Sequence, residues 1–354
     1  MSTLRVGLIG YGFSGRVFHA PVIAAADSVE LACVVSSRPD AVRADLPGTE
    51  VVPDPEAIFG DPSIDLVVVA TPNSTHRELA ERALEAGKHT VVEKPLVTRA
   101  RDAERLIRLA DDRGLVLSAY HNRRWDDDFL TVRQVIAEGR LGDVIHFESH
   151  FDRYRRQVRS GWREEAREGS GVLYDLGSHL IDQALVLFGP PERLWADVTT
   201  QREGGAVDDY FHVVLAWGRR RAVLHSGTLV RDPGARFAVH GTDGSFTTPG
   251  LDPQEARLMA AVGLLGRGGG GESPGPGGAA DPRSGRLVIG GGDPPEVERI
   301  PLLPGRYADF YEGVAAAVRG AAPNPVPPDQ ARGVIRVIEA AVRSSGTGRR
   351  VDLG

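Results

Sequence analysis

The chain has 354 residues and a mass of 38.0 kDa, more than one hydrophobic core usually supports, and this length predicts two domains. The formal net charge is −6 and the pI is about 6.0, so we expect neither nucleic acid nor a membrane surface as a partner. The single cysteine, Cys33, cannot form an internal disulfide. No signal peptide precedes the first apolar run, and no run reaches the ~18 apolar residues of a membrane span, so we expect a cytoplasmic protein.

In the first 122 residues, short apolar runs alternate with helical patterns. Strands are predicted at residues 4–10, 29–37, 64–72, 89–95 and 115–122, and helices at 15–26, 76–88 and 99–114. Uninterrupted Val, Ile and Leu in strands that helices separate are typical of a parallel sheet covered on both faces. We therefore predict an α/β domain over residues 1–122.

After residue 122 the pattern changes to consecutive strands. Strands are predicted at 143–154, 193–202, 208–217, 219–230 and 234–241, and helices at 127–139, 175–189, 306–319 and 329–345. Strands without helices between them indicate a mostly antiparallel sheet, so residues 123–354 are predicted to form an α+β domain. The stretch 263–292 contains thirteen glycines. Because no predicted strand precedes it and no helix follows, we interpret it as a flexible surface insertion and not as a phosphate-binding loop.

A glycine motif follows the first predicted strand. In RVGLIGYGFSGRVF, Gly10, Gly12 and Gly15 have the G-x-G-x-x-G spacing directly before a predicted helix. In a dinucleotide-binding turn, the first glycine permits the tight turn, the second lets the backbone approach a pyrophosphate, and the third lets helix and strand pack closely. In this strand–turn–helix context, the motif predicts a Rossmann-type dinucleotide site. A purely structural turn is the alternative.

The end of the second predicted strand bears on the choice between NAD and NADP. The acid that commonly binds the ribose 2′-hydroxyl of NAD is replaced by Ser36, Ser37 and Arg38. Small hydroxyls and an arginine suit a 2′-phosphate, which a carboxylate would repel. We therefore expect NADP in preference to NAD. The alternatives are that Asp40 or Asp45 replaces the missing acid, or that Arg38 only caps the turn.

The sequence ATPNSTH follows the third predicted strand, at the sheet edge where dinucleotides bind. Pro72 would fix the turn, and Thr71 or Asn73 would hydrogen-bond the cofactor. Thr75 is also a candidate N-cap of the next helix, with Glu78 completing a capping box. The two interpretations are compatible.

Lys88 and Lys94 are the only lysines among 42 basic residues. Lys94 ends the fourth predicted strand in VVEKPLV and precedes Pro95, which favours extended backbone. An ammonium group donates three hydrogen bonds and can lose its proton, whereas a guanidinium cannot. We therefore expect Lys94 to act in catalysis beside a nicotinamide. Chance retention of a lysine at the surface is the alternative, and it is our interpretation of Lys88.

The sequence YDLGSHLIDQALVLFG predicts a helix with three functional groups on its polar side. At about 100° per residue, Asp175, His179 and Asp182 lie within about 60° of one another. His179 suits a general base because imidazole titrates near neutral pH, and Asp175 would orient or bind a substrate hydroxyl. The alternatives are a solvated helix face or a pair of metal ligands. No other spacing completes a metal site, so no metal is expected.

Together, GLIGYGFSGRVF, EKP and YDLGSHLIDQ make residues 4 to about 345 resemble the Gfo/Idh/MocA family of dehydrogenases. The stretches YHNRRWDDDFLT, FESHFDRYRRQV, GWRE and DDYFHVVL look closest to its NADP-dependent scyllo-inositol dehydrogenases, whereas the glycine-rich 263–292 segment departs from them. The resemblance implies a Rossmann domain and a second domain with an open antiparallel sheet, which commonly forms the interface of a homodimer or homotetramer. It also implies that Lys94, Asp175 and His179 converge across the domain cleft. His179 would accept the hydroxyl proton, Lys94 would hydrogen-bond the reacting oxygen, and the carbinol hydride would pass to NADP.

Further site residues are expected beside these. Cofactor contacts are expected from Phe13, Ser14, His76, Glu93, Asn122, Trp162 and Arg163, and substrate contacts from Lys94, Asn122, Tyr154, Asp175 and His179. Trp162 is alternatively a core residue. We expect an NADP-dependent dehydrogenase that oxidises a small polyol, with scyllo-inositol as the first candidate. The alternatives are another polyol or sugar, and a non-catalytic NADP-binding sensor.

Overall fold

The computed structural model describes residues 3–158, 161–162, 164–264, 283–292 and 294–353. The chain divides into two compact units, and each combines segments that are distant in sequence. Unit 1 comprises Met1–Asn122, Pro253–Pro274 and Arg306–Arg332, and unit 2 comprises Arg123–Asp252, Gly275–Gly305 and Gly333–Gly354. The first boundary follows residue 122, where the sequence pattern changes, and two later segments belong to unit 1.

The described residues form fifteen strands and ten α-helices. The strands are β1 (Leu4–Ile9), β2 (Val29–Val35), β3 (Glu50–Val52), β4 (Leu66–Val69), β5 (His89–Glu93), β6 (Leu117–Tyr120), β7 (Val144–His150), β8 (Arg193–Thr199), β9 (Tyr210–Trp217), β10 (Arg220–Gly227), β11 (Ala235–Gly241), β12 (Gly244–Pro249), β13 (Ser284–Ile289), β14 (Glu296–Pro301) and β15 (Val351–Asp352). The helices are α1 (Ala20–Ala24), α2 (Pro39–Asp45), α3 (Glu56–Phe59), α4 (Asn73–Glu85), α5 (Ala100–Asp112), α6 (Asp127–Ala137), α7 (Ser178–Phe188), α8 (Gln254–Ala261), α9 (Ala308–Val318) and α10 (Pro328–Thr347). Within the described ranges, no helix is long and apolar enough to cross a membrane.

Unit 1 is built on one parallel sheet. Its six strands have the order β3-β2-β1-β4-β5-β6, and each adjacent pair is parallel. This is the strand order of the doubly wound dinucleotide-binding fold. All residues of β4 and β6 are buried, as expected for strands covered on both faces, so the predicted parallel sheet is confirmed. The edge strand β3 was not predicted because it has three residues, none of them fully buried.

Lys88 lies between α4 and β5, and its interpretation as a surface residue is wrong. The residue is 7% exposed, and its ammonium group donates hydrogen bonds to the carbonyl oxygens of Asp61 at 2.6 Å and Ile64 at 2.9 Å. An ammonium group offers three donors at one point, so it serves both carbonyl groups at once. Lys88 therefore has a structural role.

Unit 2 is built on a nine-stranded sheet in the order β14-β13-β12-β11-β7-β10-β9-β8-β15. The central pair of β7 and β10 is parallel, and the other adjacent pairs are antiparallel. Phe147, Phe211 and Phe237 point from this sheet into a core that also contains Leu180 and Ile181 of α7. The predicted α+β domain with a mostly antiparallel sheet is confirmed.

The interpretation of residues 263–292 as one flexible insertion is wrong for its last part. Ser284–Ile289 forms β13, which pairs with β12 and β14, and Leu287 is fully buried in the core. The strand was hidden in the sequence because glycines lie on both sides of its short apolar run. Residues 265–282 of the stretch lie outside the described residues.

Candidate active site

The glycine-rich turn of unit 1 joins β1 to a π-type helical turn at Gly15–His19. Gly10 has a φ of +101°, and a Cβ there would lie 2.6 Å from the carbonyl oxygen of Ala70. A Cβ on Gly15 would overlap with the carbonyl oxygen of Gly10, whereas a Cβ on Gly12 would meet nothing within 4 Å. Gly10 and Gly15 are therefore required by the turn itself, and Gly12 leaves open space over the backbone.

That open space fits the phosphates of a dinucleotide. Successive main-chain N–H groups at such a turn attract anions, and a side chain at the second glycine would block their approach. The next residue, Phe13, is 37% exposed and packs edge-on against Phe18 with ring centroids 5.7 Å apart. The residues present therefore fit a dinucleotide over Gly12.

Ser36, Ser37 and Arg38 follow β2, the strand that pairs with β1. Arg38 Nη2 donates a hydrogen bond to the carbonyl oxygen of Tyr11 at 3.2 Å, and Ser36 Oγ accepts one from the Arg38 N–H at 3.0 Å. Ser37 and Arg38 are exposed. An exposed guanidinium group is therefore held beside the glycine-rich turn together with two hydroxyl groups.

The two carboxylates considered as replacements for the missing acid have other partners. Asp45 accepts hydrogen bonds from Arg16 Nε at 2.5 Å, from Arg16 Nη2 at 2.9 Å and from the Tyr11 hydroxyl at 3.2 Å. Burial, with the adjacent charge of Asp45, raises the pKa of Tyr11 to about 12. Asp40 is exposed and pairs with Arg43 at 3.2 Å. Asp45 is therefore committed to an ion pair within the unit.

The end of β4 leads directly into α4. The helix begins at Asn73 with Pro72 as its N-cap, so the alternative role of Thr75 as N-cap of a capping box with Glu78 is wrong. Thr75 Oγ1 instead donates to the carbonyl oxygen of Pro72 at 2.8 Å and lies 2.7 Å from Thr71 Oγ1. These contacts fix Thr71 at the carboxyl edge of the sheet, where Asn73 begins α4.

His76 does not have the exposure that a cofactor contact requires. It is fully buried, with Nδ1 2.9 Å from the carbonyl oxygen of Pro95 and Nε2 2.9 Å from that of Thr71. Burial lowers the pKa of its imidazole. His76 therefore ties the end of β4 to the segment that follows Lys94.

Lys94 directly follows β5, is half-buried and forms a cis peptide bond with Pro95. Its main-chain N–H donates to Glu93 Oε2 at 2.9 Å. Glu93 Oε1 accepts hydrogen bonds from Ser14 Oγ and from His19 Nε2, the latter at 3.1 Å. Burial would raise the pKa of the Glu93 carboxyl, but the hydrogen bond and charge of His19, the charge of Lys94 and the Ser14 hydroxyl hold it at about 2. Glu93, expected to contact the cofactor, is a buried carboxylate that supports the turn.

In unit 2, the helix predicted over 175–189 begins earlier, with a π-type turn at Leu173–Gly177 that leads into α7. Asp208 fixes its start because Oδ2 accepts a hydrogen bond from the Leu173 N–H at 2.7 Å. Burial raises the pKa of Asp208 to about 6 against the effect of the main-chain N–H donors. Gly171 has a φ of +89°, and a Cβ there would overlap with the Asp208 carboxylate.

The side of α7 that carries His179 is not a solvated face. His179 is 6% exposed and Asp182 is 2% exposed. Asp182 accepts hydrogen bonds from Arg124 Nη2 at 2.6 Å and Nε at 2.8 Å, and Gln183 Nε2 donates to the Arg123 carbonyl oxygen at 2.9 Å. Asp182 therefore anchors the helix through a buried bidentate ion pair.

The other predicted site residues have varied environments. Asn122 is buried at the start of a 3₁₀ turn. Tyr154 is exposed beneath Arg231, whose guanidinium carbon lies 3.8 Å from the ring centroid. Trp162 is half-buried, and Arg163 lies outside the described residues.

Three residues that contact these groups were not predicted from the sequence, namely His19 and Tyr311 in unit 1 and Arg124 in unit 2. Tyr311 lies on α9, yet its hydroxyl is 2.6 Å from His19 Nδ1. Arg124 pairs with a residue 58 positions away. Only His19 carried a local signal, a histidine four residues after the last glycine of the motif.

The parallel sheet in this strand order and its glycine-rich turn define a dinucleotide-binding fold. Residues 4–121 match the sequence model described as "Oxidoreductase family, NAD-binding Rossmann fold", and residues 133–353 match "Oxidoreductase family, C-terminal alpha/beta domain". The chain belongs to the Gfo/Idh/MocA family of oxidoreductases.

Relatives cover nearly the whole chain. The uncharacterized oxidoreductase YdgJ of Escherichia coli is 46% identical over 97% of this chain and 96% of its own length. The scyllo-inositol 2-dehydrogenase (NADP(+)) IolW of Bacillus subtilis is 41% identical over 100% of this chain and 97% of its own length. The solved structure of yvaA from Bacillus subtilis, also 41% identical, superimposes with a TM-score of 0.91 over 99% of both chains.

Proposed function

We propose that this protein is an NADP-dependent dehydrogenase that reversibly oxidises a secondary alcohol of a cyclitol to a ketone, with scyllo-inositol and scyllo-inosose as the substrate pair. The observation that carries this proposal is the 41% identity to scyllo-inositol 2-dehydrogenase (NADP(+)) IolW over the full chain. The chain contains the candidate groups for the reaction, Lys94, Asp175 and His179.

When bound, the cofactor supplies the nicotinamide that accepts a hydride from the carbinol carbon. We assign the remaining work to side chains of this chain. An imidazole nitrogen of His179 accepts the proton of the substrate hydroxyl. The Lys94 ammonium donates a hydrogen bond to the same substrate oxygen and stabilises the negative charge that develops on it. Asp175 accepts a hydrogen bond from a substrate hydroxyl and orients the ring.

We propose that NADP is preferred because of Arg38. Its guanidinium group is exposed beside the glycine-rich turn and is fixed by the carbonyl oxygen of Tyr11. A guanidinium matches the geometry of a phosphate and carries the opposite charge, and the hydroxyls of Ser36 and Ser37 add donors. The carboxylate that would favour NAD is absent from this position, so NAD is the weaker cofactor.

We also propose that the protein forms a homodimer or homotetramer through the outer face of the sheet in unit 2. This face carries Trp195, which is 42% exposed and packs edge-on against His212. Exposed aromatic residues are enriched at interfaces. Trp195→Asp should therefore produce monomers in analytical ultracentrifugation, and an unchanged sedimentation coefficient would exclude this face.

The test is the appearance of reduced nicotinamide, followed by ultraviolet absorbance, with NADP or NAD and a panel of inositol isomers, other polyols and aldoses. Turnover of scyllo-inositol with NADP, and slower turnover with NAD, is expected. Turnover of a different polyol alone would overturn the substrate and keep the chemistry. Tight NADP binding without turnover of any alcohol would overturn the enzymatic function in favour of a sensor.

A further inference from the structure

A buried chain of hydrogen bonds in unit 1 joins parts of the sequence that the proposed reaction does not use. The Tyr311 hydroxyl on α9 is 2.6 Å from His19 Nδ1, and His19 Nε2 is 3.1 Å from Glu93 Oε1. Tyr311 and His19 are fully buried. The ring of Tyr120 packs on that of His19 with centroids 4.3 Å apart, so the imidazole is held in place from the side as well.

The Glu93 carboxylate fixes the direction of one of these hydrogen bonds. An ionised carboxylate can only accept, so His19 Nε2 carries an N–H and donates it to Glu93 Oε1. Burial raises the pKa of Tyr311 well above its usual value, so the phenol beside His19 Nδ1 stays protonated. The imidazole therefore gives a buried anion a donor.

Glu93 also contacts the glycine-rich turn and Lys94. Glu93 Oε1 also accepts a hydrogen bond from the hydroxyl of Ser14, which lies in the glycine-rich turn. Oε2 accepts the main-chain N–H of Lys94 at 2.9 Å. One carboxylate therefore holds both the turn over which the dinucleotide binds and the residue that is proposed to polarise the substrate.

We infer that His19 and Tyr311 are positioning residues, which act through Glu93 to hold the glycine-rich turn and Lys94 in their binding arrangement. The part that concerns Lys94 rests on the proposed function, whereas the part that concerns the turn does not. The titratable and charged groups facing Glu93 are His19, Lys94 and, across the imidazole, Tyr120 and Tyr311. Without His19, the buried carboxylate lacks its imidazole donor and the Ser14 contact weakens.

The experiment measures the Kd for NADP+ by isothermal titration, with no substrate present. His19→Leu should weaken binding by about tenfold, the effect expected when a hydrogen bond to a buried charged group is lost. His19→Gln should restore most of the affinity, because its amide N–H can donate from about the position of Nε2. Tyr311→Phe removes a single oxygen from a packed ring and should weaken binding by a smaller factor in the same direction.

A matched control and a double variant separate positioning from a general loss of packing. His89 lies at the other end of β5, where its Nδ1 accepts the Val116 N–H at 3.0 Å, and His89→Leu should leave the Kd unchanged. If His19 acts through Glu93, His19→Leu should cause little further loss in a Glu93→Gln background. Equal losses in both backgrounds, or no rescue by His19→Gln, would overturn the inference. Because no turnover is measured, a failure of the proposed substrate would leave this result intact.

Discussion

The ion pair between Arg124 and Asp182 gives the sharpest prediction of stability in unit 2. The two side chains are 7% and 2% exposed and share two hydrogen bonds of 2.6 and 2.8 Å. Arg124→Met would keep most of the aliphatic volume and leave the Asp182 carboxylate buried without its counter-charge. Breaking a buried pair on one side costs about 3–5 kcal/mol, whereas replacing both partners by apolar groups is often close to neutral.

Tryptophan fluorescence is the appropriate assay. The four tryptophans of the chain are at positions 125, 162, 195 and 217, and all of these positions belong to unit 2. In urea, the fluorescence transition of Arg124→Met should move to a lower concentration, by the equivalent of about 3 kcal/mol or more. The double variant Arg124→Met/Asp182→Leu should recover most of that loss.

The exposed pair of Arg167 and Glu165, which also belongs to unit 2, provides the control. Its side chains are 65% and 49% exposed, and Arg167→Met should leave the fluorescence transition where it is, because exposed pairs contribute little. If Arg124→Met lowers the free energy of unfolding by less than about 1 kcal/mol, then the variant does not leave Asp182 as an unpaired buried charge, and the reasoning is refuted. A double variant that is less stable than the single variant would refute it as well.

Three further predictions concern the cofactor preference, acid stability and the helical turn that leads into α7. Arg38→Asp should raise the Kd for NADP+ at least about tenfold more than that for NAD+, since a charge-assisted contact is worth about 1.5–3 kcal/mol, and equal weakening of both would remove the 2′-phosphate argument. The pKa of Glu93 is about 2, below its ordinary 4.5. Its ionisation therefore stabilises the folded state above about pH 4.5, and about 3 kcal/mol is lost as the pH falls toward 2. Circular dichroism melts of Glu93→Gln should show a shallower acid dependence than wild type, and parallel curves would contradict this. Gly171→Ala should lower the free energy of unfolding measured in urea by about 1–2 kcal/mol or more, because φ at this residue is +89° and the Asp208 carboxylate must move. An unchanged transition would show that the turn adapts to the side chain.

The architecture could be predicted from the sequence wherever burial produces a simple pattern of apolar residues. The strands of unit 1 could be predicted because residues buried on both faces appear as uninterrupted Val, Ile and Leu. The edge strand β3 could not, since Glu50–Val52 is short and partly exposed. The strand β13 could not be predicted either, because its apolar run is only a few residues long and has glycines on both sides.

At the candidate site, the sequence predicted candidate functional groups but not the contacts that support them. Gly10 and Lys94 could be placed because turn geometry and strand ends depend on local sequence. The partners of Glu93 could not, since Tyr311 reaches His19 across 292 positions and no local pattern records such a contact. Lys88 was misinterpreted for the same reason, because its two carbonyl partners lie 24 and 27 residues away.

The most direct test of the proposed chemistry compares wild type with Lys94→Ala in scyllo-inositol oxidation with NADP+. The variant should bind NADP+ with an affinity close to that of wild type, because the glycine-rich turn and Arg38 are unchanged. Its turnover should fall by about 10²-fold or more, as expected when a group that assists proton transfer and polarises the oxygen is removed. Turnover near the wild-type rate would contradict the role of Lys94 and, with it, the proposed mechanism.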